Sequence, residues 1–391
     1  MSDPAGRLNI QLRRTPHGFA CDIASTRPVA ASGLFRGRAP TETASLLPLL
    51  YSICAKAQAS ACVGALDHAC GMDPDPEARR LRQSLVAAET VREHLWRILL
   101  DWPLLLDEEP DRHAMIGTQS LVKRIFGALD SDGVLLSPGC EKPTSSRSAL
   151  AEAASALADL TAERVLGLAP DAWLERVTTL GAFDDWCRSV ETPAARLLAD
   201  LHDSGDGRLG HTEASPLPDL DDGTLAAELR GPEAAAFVAR PHWRGVPRET
   251  TPLTRYADSA LVSALVADQG RGILARLVAQ ILETVSLLRA IRTDELDAGS
   301  TAPSDTLLPA GVGLGRADAA RGLLVHLAEV DRGRVAEYRI LAPTEWNFHP
   351  DGVLSSALAT LPDAEETLLR RRVQLLVMAI DPCVAFDLVI P

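Results

Sequence analysis

The amino-acid sequence predicts a mainly α-helical protein with a small β portion near the C-terminus. Of its 391 residues only 4% are aromatic, whereas alanine and leucine are abundant, and these two residues lose little entropy on entering a helix. Long segments, such as 77–103, repeat apolar residues at helical spacing. Two late segments, 321–329 and 334–341, instead alternate apolar and polar residues around a turn, which predicts a β-hairpin.

The elements of the first half follow from the same patterns. Residues 8–12 and 19–23 are short and strand-like. An alanine- and leucine-rich stretch from 41 to 69 predicts one or two buried helices, and the Gly- and Pro-containing residues 71–76 end it. The helix over 77–103 ends at Pro103, because proline cannot continue the helical hydrogen bonds. Further helices are predicted at 115–130, 147–167, 170–181 and 182–202.

The second half opens with a polar, Gly- and Pro-containing segment, 203–222, which predicts a loop. This loop is a candidate subdomain border within a single large domain, 1–391. Beyond it, the glycine-rich residues 311–315 lack the preceding strand of a dinucleotide-binding site and predict another loop. Helices are predicted at 223–239, at 255–292 with Gly270 and Gly272 as candidates for a kink, and at 363–380.

Charge and cysteine content narrow the possible functions. The formal net charge is −14, so a phosphate backbone would be repelled and no nucleic-acid partner is expected. No apolar run approaches the roughly 18 residues of a membrane span, and the N-terminus lacks the pattern of a secretion signal. Seven cysteines are spread along the chain without a tight framework. This predicts reduced thiols, no membrane insertion and a cytoplasmic location.

Three segments near the C-terminus carry the most specific pattern. They read Arg321-Gly-Leu-Leu-Val-His326, then Tyr338-Arg-Ile-Leu-Ala-Pro-Thr-Glu-Trp-Asn347, then Asp381-Pro-Cys383. They resemble, in the same order, three segments of the large subunit of [NiFe] hydrogenases. Weaker matches to that family lie at 241–255 and 37–54. The resemblance implies a [NiFe]-hydrogenase large-subunit-like fold.

In that family two Cys-x-x-Cys pairs, one from each end of the chain, hold nickel and iron through four thiolates, which are soft ligands suited to these metals. Here the pairs read Cys54-Ala-Lys-Ala57 and Cys383-Val-Ala-Phe386. Each pair keeps its first cysteine and lacks the second, which in the family bridges the two metals. The resemblance therefore implies that this chain is not an enzyme and does not turn over hydrogen.

The same losses are similar to those of a narrower family, the hydrogenase expression/formation proteins of the HupK type, which look like shortened large subunits. This resemblance implies a maturation factor that acts as a scaffold or chaperone. It would transiently hold iron carrying cyanide and carbonyl ligands and deliver it to the hydrogenase large subunit. Nickel is not expected. The implied partners are hydrogenase maturation chaperones, the large subunit, or both.

The resemblance also implies roles for four residues. Cys54 and Cys383 would bind the metal. Arg321 would donate hydrogen bonds to cyanide nitrogens through its planar guanidinium. Asp381 would accept a hydrogen bond from Arg321 or orient the turn at Cys383.

Other interpretations remain open at this stage. The chain is alternatively a metal-free interaction module that mimics the large subunit toward maturation chaperones or the small subunit, or else a residual nickel-dependent hydrogenase. Cys54 and Cys383 could be small core residues, and Arg321 could pair with a buried acid.

Several residues near the motifs are better explained by structure than by chemistry. Core packing is predicted for the other cysteines, Cys21, Cys62, Cys70, Cys140 and Cys187, and structural roles for His326 and His349. Pro343, Trp346 and Asn347 are predicted to fix a turn under the metal pocket, and Glu249 is predicted to pair with Arg255.

Overall fold

The computed structural model describes residues 6–16, 18–27, 29–141, 143–296 and 306–390. The strands are β1 (Leu8–Thr15), β2 (Gly18–Ser25), β3 (Val312–Ala319), β4 (Gly322–Asp331), β5 (Arg334–Leu341) and β6 (Phe386–Val389). The helices are α1 (Pro40–Leu50), α2 (Ala55–Ala69), α3 (Pro76–Trp96), α4 (Arg112–Leu129), α5 (Arg147–Thr161), α6 (Pro170–Arg176), α7 (Leu180–Ser189), α8 (Pro193–Ser204), α9 (Asp222–Arg230), α10 (Ala234–Ala239), α11 (Pro252–Arg255), α12 (Ala260–Gln269), α13 (Ile273–Thr293), α14 (Pro343–Asn347), α15 (Val353–Ala359) and α16 (Glu366–Ile380).

Two three-stranded sheets lie among these helices. In the first, with order β2-β1-β6, the N-terminal hairpin pairs in parallel with the C-terminal strand, and Leu8 lies opposite Phe386. In the second, β3, β4 and β5 form an antiparallel meander. The predicted mainly helical fold, the strand-like pieces 8–12 and 19–23, and the late hairpin are all confirmed. The first sheet brings the two ends of the chain together.

The largest hydrophobic core lies within the helical part of the protein. The middle of α13 is buried on nearly all sides, and α13 packs against α3, α5 and α16. A second cluster forms where β3–β5 meet α9 and α10, and it includes Trp346. No helix within the described ranges is long and apolar enough to cross a membrane. The predicted loop at 203–222 is irregular apart from the end of α8, a short 3-10 turn and the first residue of α9; its role as a subdomain border stays a prediction.

Some predicted helices are divided. The single helix expected over 255–292 was wrong, since α12 ends at Gly270 and α13 begins after Gly272. Gly270 has φ +77°, a left-handed conformation that ends a helix. The helix predicted at 182–202 is likewise two helices, because Thr192 caps a new helix whose first residue is Pro193.

The glycine-rich segment 311–315 was predicted to be a loop, and this was wrong, because most of it belongs to β3. The backbone of β3 lies directly against α2. A Cβ atom at Gly313 would lie 2.1 Å from the carbonyl oxygen of Ala65, and one at Gly315 would lie 2.0 Å from that of Ala61. Only glycine allows a strand and a helix to approach this closely. This contact positions α2, which begins directly after Cys54.

Substituting Gly315 by alanine is expected to lower the free energy of unfolding by about 3 kcal/mol or more, because the new methyl group forces α2 and β3 apart. Urea denaturation followed by circular dichroism measures this. The matched control is Gly127→Ala within α4, where a Cβ would meet nothing within 4 Å and a gain of up to about 1 kcal/mol is expected. Equal stability of the two variants would contradict the close helix–strand contact.

Candidate metal-fragment site

The four residues predicted to form the site are carried by separate elements that meet in one region. Cys54 is the residue before α2, and Arg321 lies in the turn between β3 and β4. Asp381 ends α16 in a left-handed conformation, φ 58°, and so directs Pro382 and Cys383 away from the helix axis. Aspartate is one of the few residues that adopt this conformation readily. The helix end therefore places Asp381 and Cys383 beside the segments 321–326 and 338–347.

A large cleft opens over this region. Its volume is about 1050 Å³, and its lining includes Arg321, Asp381 and Cys383, together with residues of α3 and α4. Cys54 does not line the cleft itself, although the two residues before it, Ser52 and Ile53, do. The predicted site is thus open to solvent on the side of the cleft, and Cys54 lies next to the cleft lining without being part of it.

The two thiols lie close enough to affect one another. Burial raises the pKa of Cys54 to about 12, and negative charge on Cys383 is the next largest contribution. The Gln58 amide donates to the Cys54 sulfur at 3.8 Å, and the Thr344 hydroxyl lies 2.9 Å from the Cys383 sulfur. Cys54 is consequently protonated at neutral pH unless a cation takes the proton's place.

Arg321 is buried among carboxylates. Its Nη1 donates to Glu93 at 2.7 Å, and its Nε lies 2.9 Å from Asp381 Oδ2. This second contact lacks hydrogen-bond alignment, so the Nε–H is buried without a hydrogen-bond acceptor among the described residues. Burial lowers the pKa of Arg321, but Asp381 and Glu93 outweigh this and raise it. The guanidinium is therefore charged and is held between Glu93 and Asp381.

Asp381 is held by a second arginine. Arg97, on the turn after α3, donates from Nε to Asp381 Oδ1 at 2.7 Å and from Nη2 to the carbonyl of Pro382 at 3.1 Å. Burial alone would raise the pKa of Asp381, but Arg321 and Arg97 together lower it. The carboxylate is thus ionised and fixes the turn that leads to Cys383.

Sequence reasoning missed four residues of this region, Glu93, Arg97, Arg27 and Glu345. Arg27 pairs with Glu345 and lies near both thiols. Glu345 lies inside the 338–347 motif, which is a signal that could have identified it. No pattern in the sequence marks Glu93, Arg97 or Arg27. Their partners are hundreds of residues away, so spacing carries no signal.

The structural predictions for the neighbouring residues mostly agree with the structure. His326 contacts the Tyr338 hydroxyl at 2.7 Å and the Gln58 amide oxygen at 3.0 Å, and burial lowers its pKa to about 3. The Asn347 amide donates to the carbonyl of Arg321 at 2.8 Å and so holds the backbone at Arg321 in place. Of the other cysteines, Cys62, Cys140 and Cys187 are buried, whereas Cys21 and Cys70 are only partly so.

The predicted pairing of Glu249 with Arg255 was wrong. Glu249 binds Arg276 and Arg271, while Arg255 binds Glu283 at 2.6 and 2.7 Å. The bend at Pro252 sends the two side chains to different positions along α13. Proximity in sequence was a poor guide, because Arg276 and Glu283 belong to α13 and Arg271 lies just before it.

Few metal-binding side chains come together at this site. Within the described part of the chain, no group of three or more His, Cys, Asp or Glu side chains is arranged to hold a metal ion. The available groups are the two thiols of Cys54 and Cys383 and the guanidinium of Arg321. Structural metal sites normally use four protein ligands, which is more than the two thiols supply.

Comparison with known proteins identifies the family. Residues 231–386 match the family model of nickel-dependent hydrogenases. The hydrogenase expression/formation protein HupV of Azotobacter chroococcum mcd 1 is 33% identical over 388 residues, which cover 98% of each chain. The chain belongs to the hydrogenase expression/formation proteins. HoxV of Cupriavidus necator is 32% identical, and the match covers 97% of this expression/formation protein and 94% of HoxV. HupK of Rhizobium leguminosarum bv. viciae is 31% identical, and the match covers 98% of this protein and 96% of HupK.

Solved structures extend the comparison to the fold of this expression/formation protein. The [NiFeSe] hydrogenase of Desulfovibrio vulgaris Hildenborough superposes with a TM-score of 0.63 at 15% identity, covering 95% of this chain and 94% of that one. The enzyme of Desulfomicrobium baculatum gives 0.61 at 15% identity, with 95% of each chain covered. The predicted hydrogenase-like fold is confirmed. At this level of identity the likeness concerns the fold alone.

Proposed function

We propose that this chain assists the assembly of [NiFe] hydrogenases without turning over hydrogen itself. It holds an iron fragment carrying cyanide and carbonyl ligands between Cys54 and Cys383 and passes that fragment on to the hydrogenase large subunit. The observation that carries the proposal is the meeting of these two thiols, from opposite ends of the chain, beside Arg321 and Asp381. The names of the relatives, which refer to hydrogenase expression and formation, support the same role.

The ligand count favours temporary holding. The second position of each cysteine pair is Ala57 or Phe386, and neither side chain can bind a metal. Two thiolates hold a fragment less firmly than four, so transfer to a complete four-cysteine site runs downhill. The same shortage of bridging ligands is the reason why nickel is not expected.

Proton exchange would accompany loading and release. Because burial raises the pKa of Cys54 to about 12, its thiol must lose a proton when iron binds, and it regains one when iron departs. Arg321 would donate to a cyanide nitrogen. Asp381 would keep that guanidinium in place through its own contacts with Arg97.

Infrared spectroscopy tests this proposal. The protein is purified without oxygen from cells that also produce the hydrogenase maturation proteins. Cyanide and carbonyl stretching bands are expected in the wild type and are expected to be lost in Cys54→Ala and Cys383→Ala. Cys70→Ala is the matched control, since Cys70 is a partly buried cysteine just after α2, where no site is proposed. A wild-type protein without bands, or bands that survive in both cysteine variants, would sink the proposal.

A metal-free interaction module is the second candidate. It is favoured by the apolar side chains at the cleft, where Ile53, Trp96 and Leu104 are 41%, 41% and 57% exposed. Its partner would be a maturation chaperone, the large subunit or the small subunit. Binding of such a partner by the Cys54→Ala/Cys383→Ala double variant, at wild-type affinity and without infrared bands in the wild type, would select this function over the first.

A further inference from the structure

Arg27 is a second arginine beside the two thiols, and none of the sequence motifs includes it. It lies just after β2, where the chain leaves the N-terminal sheet. Thr26 donates its backbone N–H to the carbonyl of Arg7 at 2.9 Å, and the Arg27 N–H donates to the Ser25 hydroxyl at 3.2 Å. The backbone at Arg27 is therefore anchored to the sheet that also contains β6.

The side chain of Arg27 points into the protein. It is only 11% exposed, and its Nη1 lies 3.2 and 3.3 Å from the two carboxylate oxygens of Glu345. Glu345 follows Thr344, whose hydroxyl is 2.9 Å from the Cys383 sulfur. Arg27 and Cys383 thus contact two adjacent residues of α14.

Electrostatics agree with this placement. Burial lowers the pKa of Arg27, but the negative charges of Cys383, Glu345 and Cys54 outweigh it and raise the pKa. Through Nη1 the guanidinium binds Glu345, while its Nε and Nη2 donate to no other group among the described residues. These two donors are consequently available to a ligand.

Two guanidiniums beside one thiol pair offset negative charge that would otherwise attract a bare metal dication to the site. The same two groups favour a metal complex whose outer ligands are anionic hydrogen-bond acceptors, as cyanide is. Arg321 approaches the thiols from the β3–β4 turn and Arg27 from the end of β2. They belong to different sheets, so they can contact different ligands of one complex.

We propose that Arg27 is a binding residue for the outer ligands of an anionic cyano-iron complex, and that it makes this site select the complex over the bare ferrous ion. The inference rests on the proposed function and adds to it the charge of the cargo and the residue that recognises that charge. Pairing with Glu345 alone would explain the burial of Arg27, but it would not predict any selectivity between two forms of iron.

The test compares two probes under anaerobic conditions, the ferrous ion alone and a synthetic iron(II) complex bearing cyanide and carbonyl ligands. For the wild type, tighter binding of the complex is expected. Arg27→Met is expected to lower the ratio of the two affinities by about 10- to 100-fold, the usual effect of losing a hydrogen bond to a charged group, with ferrous binding unchanged or stronger. Arg27→Lys keeps the charge and is expected to recover part of the ratio, with a shifted cyanide stretching band.

Two further variants keep the test decisive. Arg14→Met is the matched control, since Arg14 belongs to the same hairpin, is more exposed and pairs with Asp363. Glu345→Gln removes the partner of Arg27, so the ratio is expected to rise, and this variant serves if Arg27→Met fails to fold. An unchanged ratio in Arg27→Met, or in Glu345→Gln, would overturn the inference while leaving the iron-holding function intact. Failure of the wild type to bind either probe would instead overturn the proposed function.

Discussion

Replacing Arg321 by methionine is expected to lower the free energy of unfolding by about 3 kcal/mol or more, because it leaves buried carboxylates without their cation. Glu93 loses its 2.7 Å partner, and Asp381 loses the guanidinium at 2.9 Å. Asp381 keeps Arg97 and Glu93 keeps Arg92, so folding should survive. Urea denaturation at neutral pH measures the loss.

The matched controls for this prediction separate charge from shape. Arg321→Lys restores a positive charge without the planar fork, and a smaller loss is expected. Arg332 is an arginine in the turn between β4 and β5 with a side chain that is 93% exposed, and Arg332→Met should unfold like the wild type. If Arg321→Met were as stable as Arg332→Met, the buried network around the cleft would not exist as described.

Replacing Arg276 by methionine is expected to cost about 3 to 5 kcal/mol, the usual result of removing one partner of a buried ion pair. Arg276 and Glu249 are both 0% exposed and are joined by two contacts, at 3.0 and 3.1 Å. Arg271 is a weaker partner at 3.4 Å. In the variant Glu249 would be a buried carboxylate with too little positive charge around it.

The pH dependence of this loss follows from the pKa of Glu249. Burial raises that pKa, but Arg276 and Arg271 outweigh burial and lower it in the native protein. In the wild type the stabilisation by this pair is therefore fully present above the unfolded pKa of a glutamate, and it is lost as the pH falls from there through the lowered native pKa. In Arg276→Met, Glu249 has lost its main cation, so burial raises the pKa of this carboxyl group and it takes up a proton at mildly acidic pH. The free energy of unfolding, measured by denaturation, should therefore differ less between Arg276→Met and the wild type at pH 5 than at pH 7.5. A difference that is equal at both pH values would contradict this account.

The Arg276–Glu249 pair matters to the site although it lies outside it. Thr250, the next residue after Glu249, donates its N–H to Asn347 at 2.8 Å and accepts from the N–H of Leu323 at 3.0 Å. Asn347 in turn donates to the carbonyl of Arg321. The Arg276–Glu249 ion pair, the backbone from Glu249 to Thr250 and the hydrogen bonds of Asn347 thus connect α13 to the backbone of Arg321.

The sequence was informative where chemistry is concentrated in short motifs. The segments 321–326, 338–347 and 381–383 predicted the late hairpin, the turn below the site and the side chains that meet there. Their spacing is local, so each motif can be recognised by itself. The hydrophobic alternation of the hairpin is equally local.

Long-range partnerships could not be predicted in the same way. Arg27 is one of many arginines, and its pairing with Glu345, more than three hundred residues away, leaves no signal in the sequence. Glu249 was predicted to pair with Arg255, whereas it pairs with Arg276 on α13 and with Arg271 just before that helix. The strand at Gly313 and Gly315 looked like a loop, because glycine is rare in strands unless another backbone lies against it.

The account depends most directly on the two sulfur atoms sharing one pocket. A thiol reagent with two short reactive arms, fluorescent only after both arms have reacted, measures this on the metal-free protein. We predict one fluorescent cross-link, found by peptide mass spectrometry between Cys54 and Cys383 and absent from either single alanine variant. Reaction at each cysteine separately, without a cross-link between them, would contradict the account.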